Sequence, residues 1–186
     1  MRFSASTRAL AAVAAGALWI AVAVAAAPRD ASALTPLKEG DPLPHFTAPD
    51  MAGASVDTKA LQGQKKTLLI DFWSIYCSSC IQEMPHIVAL HQKYQAQGLQ
   101  GIGIDLDAYG VARVKKFIDG LEFKIPYPTV IDAKMELKNK LGVSMLPTTI
   151  LVDQSGVVRL FHVGYKPGFE KELEETIKAV LAGGKK

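Results

Sequence analysis

The stretch TLLIDFWSIYCSSC, Thr67 to Cys80, decides how the rest of this 186-residue chain is read. Thr67–Trp73 is a near-continuous apolar run of strand length, the pattern of a strand in a sheet covered on both faces. Ser78–Gln97 follows as a helix, with Ile81, Met84, Ile87, Val88, His91 and Tyr94 recurring at three- and four-residue intervals. Pro85 is expected to kink that helix and Gly98 to end it. Cys77 and Cys80 therefore sit where a buried strand gives way to a helix. Free backbone N–H groups and the positive end of the helix dipole favour a thiolate there, so the pKa of the first cysteine falls. The two-residue gap puts both sulfurs on one turn. Cys77 is then placed to attack a partner disulfide, and Cys80 to resolve the mixed disulfide.

Other uses of the pair fit less well. A disulfide closing so short a loop constrains an unfolded chain little. Zinc needs two more ligands, and His45, His86, His91 and His162 offer no suitably spaced pair. Covalent haem attachment calls for histidine directly after the second cysteine, where Ile81 stands. A copper chaperone needs a third soft or imidazole ligand beside the cysteines, and His86 is the nearest candidate.

Outward from the pair, strand and helix signals alternate. Gly101–Asp105 (GIGID) reads as a second buried strand, and Val111–Ile118 as a helix with Val111, Val114, Phe117 and Ile118 inward. A short strand at Pro128–Ile131 and a helix at Met135–Leu141, closed by Gly142, come next. Thr148–Val152 and Val157–Val163 are joined by Asp153-Gln154-Ser155-Gly156, the spacing of a hairpin. Phe169–Leu181 is the last helix, with Phe169, Leu173, Ile177, Val180 and Leu181 inward. The order predicts an α/β domain with a mixed, mainly parallel sheet and helices on both faces. Gly101-x-Gly103 lacks the third glycine of a dinucleotide loop and reads as a tightly packed strand. Asp105 and Asp107 are read as caps of the next helix. No flavin or nicotinamide motif is present, so no cofactor is expected, and no metal.

Composition sorts the remainder. The chain is 49% hydrophobic with a net charge of +3, too weak a basic excess for a nucleic-acid surface. Between Ala9 and Ala27 only Gly16 is not apolar, and Arg2 and Arg8 precede the run. That is an export leader. Small-x-small sites follow at Ala25–Ala27 and Ala31–Ala33, the second preferred because Pro28 follows the first. The run approaches bilayer-spanning length but is mostly alanine, so residues 1–33 are read as a signal peptide or an N-terminal membrane anchor. Without the leader the chain is about 44% apolar, ordinary for a soluble domain. Residues 34–44, rich in proline, read as a tether, residues 45–182 as the domain, and 183–186 as a flexible tail. Export places the cysteines where thiols oxidise, in the periplasm or another extracytoplasmic space.

The motifs taken in order resemble a known family. Asp71–Cys80 (DFWSIYCSSC) is similar to the active-site segment of thioredoxin-fold proteins, and Leu146-Pro147-Thr148 to the loop whose proline is cis there. Gly40–Phe46 (GDPLPHF) and an inserted strand–helix unit at about 107–141 resemble the TlpA/ResA-like branch of exported thiol–disulfide oxidoreductases. The similarity spans about residues 38–182. It implies a thioredoxin-like fold, Cys77 as nucleophile and Cys80 as resolving cysteine. It also implies Asp71 as a buried acid exchanging a proton with Cys80, Glu83 as a second acid near the pair, and Pro147 as the cis proline. Asp71 within an apolar run is anomalous in any case, since burial penalises its charged form.

The branch implies reduction of disulfides in other exported proteins, in cytochrome c or copper-site assembly. It implies a membrane thiol protein as electron donor and a monomer touching the membrane only through an uncleaved leader. An oxidase or a thiol peroxidase of the same fold is the alternative, although Cys77 lacks the Pro-x-x-x-Thr-x-x-Cys context of peroxidatic cysteines. Two departures stand out: Ser79 where thioredoxins have proline, and Tyr76 where they have tryptophan. Hydroxyls at Ser78 and Ser79 would stabilise the thiolate and make the disulfide more oxidising.

Overall fold

The computed structural model describes residues 36–183. Its centre is a five-stranded sheet of β3 (Thr67–Trp73), β4 (Leu99–Asp105), β5 (Thr129–Ile131), β6 (Thr148–Val152) and β7 (Val158–Val163), in the order β5-β4-β3-β6-β7. β3, β4 and β5 run parallel; β6 is antiparallel to both β3 and β7. Every residue of the central strand β3 is buried, as an apolar run without polar alternation requires.

The two-residue side-chain period then divides the sheet. Leu68, Ile70 and Phe72 face one core, together with Ile102, Ile104, Val130 and Ile150. That face is covered by α1 (Thr58–Gly63) and α4 (Glu136–Lys140), through Leu61 and Leu137. Leu69 faces the opposite core, under α2 (Ser78–Tyr94) and α5 (Phe169–Leu181), which contribute Ile87, Val88, Leu90, Phe169, Leu173 and Ile177. Trp73 lies in a third cluster with Cys80, Met84 and Val114 of α3 (Val111–Asp119). The mixed sheet with helices on both faces is as expected, and β5 with α4 forms the inserted strand–helix unit.

Several boundaries differ from the sequence reading. Val111 is 46% exposed, so only Val114, Phe117 and Ile118 turn α3 inward. α2, with Pro85 inside it, stops at Tyr94 rather than Gln97, and a 3₁₀ turn, Gln95–Gln97, carries the chain to Gly98 at φ 101°. A hairpin of β1 (Thr47–Pro49) and β2 (Ser55–Asp57) precedes α1. Its three-residue strands are too short to show an alternating pattern.

Proline content made residues 34–44 look like tether, yet the chain packs from Leu37 onward. Gly40 N–H donates to Val158 O and Leu43 N–H to Gly156 O, both at 2.8 Å. Pro42 bridges Val157, and Leu43 is buried. This stretch covers part of the outer edge of β7, where unpaired backbone groups would otherwise face solvent. The leader assigned to residues 1–33 lies outside the described residues. Among the described residues, no helix is long and apolar enough to cross a membrane.

Candidate active site

Cys77 and Cys80 form a disulfide, with Cα atoms 5.2 Å apart. Cys77 is the N-cap of α2, in extended conformation at φ −93° and ψ 97°. Its sulfur accepts a hydrogen bond from the Cys80 N–H at 3.2 Å and lies 3.4 Å from the Ser79 hydroxyl. A sulfur in this position meets the unpaired amides and dipole of the helix start, which stabilise a thiolate once the bond is reduced. Cys77 is partly exposed and Cys80 is 1% exposed. Only the first is open to an incoming disulfide.

Two carboxyls are buried in the same region. Side-chain alternation along β3 puts Asp71 on the α2 side, between Leu69 and Trp73. Glu83 lies one turn beyond Cys80 on α2 and is 1% exposed. Burial, with the neighbouring Glu83 adding to it, holds Asp71 well above its ordinary range. Burial pushes Glu83 up to about 7, opposed by a 2.9 Å hydrogen bond that Thr149 Oγ1 donates to its Oε1. Neither Asp71 Oδ1 nor Glu83 Oε2 has a hydrogen-bonding partner among the described residues. Register explains the grouping, because Thr149 is the β6 partner of Asp71.

The Leu146–Pro147 peptide is cis and Pro147 is buried. Pro147 O accepts from the Gly164 N–H at 2.8 Å, and Leu146 packs in the cluster that contains Cys77 and Cys80. The structure thus brings Cys77, Cys80, Asp71, Glu83 and the Pro147 loop into one region. His86, the candidate third copper ligand, instead stacks on Tyr165 with centroids 6.0 Å apart.

Thr149 escaped the sequence reading, and Asp107 and Asp105, read there as caps of the next helix, do something else. Asp107 does not cap α3, whose N-cap is Gly110 with no side-chain bond. Its carboxylate accepts from Ser74 Oγ at 3.0 Å and from the Ile75 N–H at 2.8 Å, fixing the loop that delivers Cys77. Asp105 Oδ1 in turn accepts from the Asp107 N–H at 3.0 Å, and burial pushes Asp105 up to about 8. The Gly101-x-Gly103 pair proves to be a packing device. A Cβ on Gly101 would meet the Tyr127 ring at 2.7 Å, and one on Gly103 would meet Trp73 Nε1 at 3.2 Å.

A half-open sulfur on a helix start, a buried partner sulfur and two buried acids make a dithiol exchange site. The AhpC/TSA family model matches residues 40–161. The chain belongs to that family. Thiol-disulfide oxidoreductase ResA of Halalkalibacterium halodurans is 31% identical over 144 residues, covering 77% of each chain. ResA of Bacillus anthracis is 33% identical over 141 residues, covering 76% of this chain and 78% of the relative. A crystal structure from Chlorobium tepidum, assigned as the thiol:disulfide interchange protein DsbE, superposes with a TM-score of 0.72 at 31% identity. The match covers 78% of this chain and 99% of that one. This member of the AhpC/TSA family is accordingly a thiol–disulfide oxidoreductase of thioredoxin-like fold, with Cys77 and Cys80 as its cysteine pair and disulfide-containing proteins as its partners.

Proposed function

We propose that the protein is an exported reductase of disulfides in other exported proteins, with Cys77 as nucleophile and Cys80 as the resolving cysteine. In the reduced protein the Cys77 thiolate attacks one sulfur of a substrate disulfide, and the substrate's other sulfur leaves as a thiolate. Cys80 then passes its proton to the Asp71–Glu83 pair, and its thiolate attacks the Cys77 sulfur. The second substrate thiolate departs, and the Cys77–Cys80 disulfide forms. Two electrons have moved to the substrate. A membrane thiol protein, acting as donor, restores the dithiol.

The observation that carries this reading is the asymmetry of the pair: Cys77 half-open at the helix start, Cys80 buried, with two buried carboxyls of raised pKa in the same region. A buried carboxyl titrating near neutral pH suits proton exchange with a thiol. Pro147 holds its loop against the pair and shapes the groove where the substrate chain lies. The leader, residues 1–33, carries the domain across the membrane and is cleaved or retained as an anchor, and the protein works as a monomer. Cytochrome c or copper-site assembly proteins are the proposed substrates.

Trapping tests the assignment. Cys80→Ser should accumulate mixed disulfides through Cys77, whereas Cys77→Ser should trap none. Equal trapping by both variants would overturn the assignment of nucleophile, and mass spectrometry of the trapped partners would test the substrate class.

A further inference from the structure

Among the described residues, five large hydrophobic side chains are notably exposed: Tyr76, Tyr109, Val111, Met145 and Val163. Single exposed apolar residues are normally scattered over a surface. These are not. Tyr76 adjoins Cys77, and Met145 precedes the cis Leu146–Pro147 peptide. Val163 is the register partner of Thr148, next to Pro147. Tyr109 and Val111 follow Asp107, whose carboxylate grips the loop before Cys77. All five stand on, or next to, the segments that carry Cys77, the cis peptide and the loop gripped by Asp107.

One cation stands among them. Arg113, exposed on the first turn of α3, lies 4.7 Å from the Tyr109 ring centroid and 5.6 Å from that of Tyr76. It donates a hydrogen bond to the Tyr76 hydroxyl, and the two rings meet edge to face at 5.9 Å. No carboxylate among the described residues pairs with it. The two acids nearest in sequence are engaged elsewhere: Asp107 is buried with its oxygens on Ser74 and Ile75, and Asp119 pairs with Lys115. Stacking on two rings orients a guanidinium, and one donated bond leaves most of its five N–H groups free to grip a carboxylate in bidentate fashion.

We infer that these side chains form a rim that selects disulfide partners by sequence: Arg113, braced by Tyr76 and Tyr109, binds an acidic side chain beside the partner's attacked cysteine, while apolar neighbours lie along Met145 and Val163. The occupant is an extended, mainly apolar segment with one carboxylate next to a cystine. Continuity with Cys77 places that segment here, because exchange requires the partner's sulfur at Cys77. The Arg113 guanidinium, which pairs with no carboxylate among the described residues, sets its sign. The inference rests on the exchange reaction proposed above.

The test uses the reduced protein and three disulfide-linked peptides that differ only in the residue beside the cysteine: Glu, Gln or Lys. Stopped-flow second-order rate constants, each divided by that for the small neutral disulfide of hydroxyethanethiol, should fall in the order Glu, Gln, Lys. A close ion pair in a partly desolvated rim makes each step roughly three- to tenfold, and added salt should compress it. Arg113→Gln should level the series, Arg113→Glu should invert it, and Arg113→Lys should keep the order with smaller steps. Equal rates for the three peptides in the unaltered protein would overturn the selection, as would an unchanged order in Arg113→Gln. If neither the peptides nor the small disulfide reacted faster than with free dithiothreitol, the exchange reading itself would fail, a different outcome.

Discussion

Two ends of strand β6 hold carboxylates in opposite condition. At its far end, Asp153 turns the chain into β7. Asp153 Oδ1 accepts from the Ser155 N–H, the Ser155 hydroxyl and the Val157 N–H at 2.6–3.0 Å, and its Oδ2 accepts from Arg159 Nε at 2.6 Å. Burial alone would raise its pKa, but these donors outweigh it and hold the carboxyl below its ordinary range. At the near end, Thr149 supplies one bond to Glu83, and Asp71 Oδ1 and Glu83 Oε2 receive none. A structural carboxylate is saturated with donors and stays charged. Asp71 and Glu83 are undersupplied, so the neutral form of both is favoured, and Glu83, pushed up to about 7, can take or give a proton near neutral pH.

The sharpest way to break the contrast is to remove proton exchange without changing shape. Asp71→Asn should lower the rate of disulfide reduction at pH 7 by about 10²-fold, measured by turnover on a small disulfide. A rate within twofold of the unaltered protein would make Asp71 merely structural. The pH dependence of stability should carry opposite signs at the two ends. Glu83 titrates at about 7 in the fold against an ordinary 4.5, so the folded protein holds its proton more tightly than the unfolded chain. Stability is full below about pH 4.5 and falls as pH rises through 7, by on the order of 3 kcal/mol. Glu83→Gln should flatten that fall in denaturant titrations across pH 4–8.

Asp153 is lowered, so its contribution is present above the ordinary carboxylate range and is lost on acidification. Asp153→Ala should cost about 2 kcal/mol at neutral pH, seen as a lower midpoint of unfolding, and leave the exchange rate unchanged. The smallest effect belongs to the hydroxyl beside Cys77. Ser79→Ala removes a donor to the thiolate and should shift the reduction potential by about 20–30 mV to more negative values, read by equilibration with glutathione.

What the sequence disclosed and what it withheld follow one physical division. Thr67–Trp73 and Phe169–Leu181 were legible to the residue, because burial on both faces or on one stripe writes itself into composition and period. Asp71 stood out as a charge in an apolar run, and the cysteines by their place at a strand–helix junction. Thr149 and Asp107 act across the fold, Thr149 on Glu83 66 residues away and Asp107 on Ser74 33 residues away. No local pattern encodes such pairs. Val111 and the Leu37–Pro44 stretch were misread for a related reason. Periodicity suggested an inward Val111, and proline content suggested a tether, but neighbours distant in sequence decided both.

The docking of Leu37–Leu43 has a directional consequence. The segment joins the body beside Gly156 and Val158, whereas Cys77 lies level with the other end of β6, about 17 Å away at 3.3 Å per residue. The chain thus enters at one pole and reacts at the other. Anything that holds it ahead of residue 36 grips the domain by its heel, and the sulfur is turned outward to meet what passes.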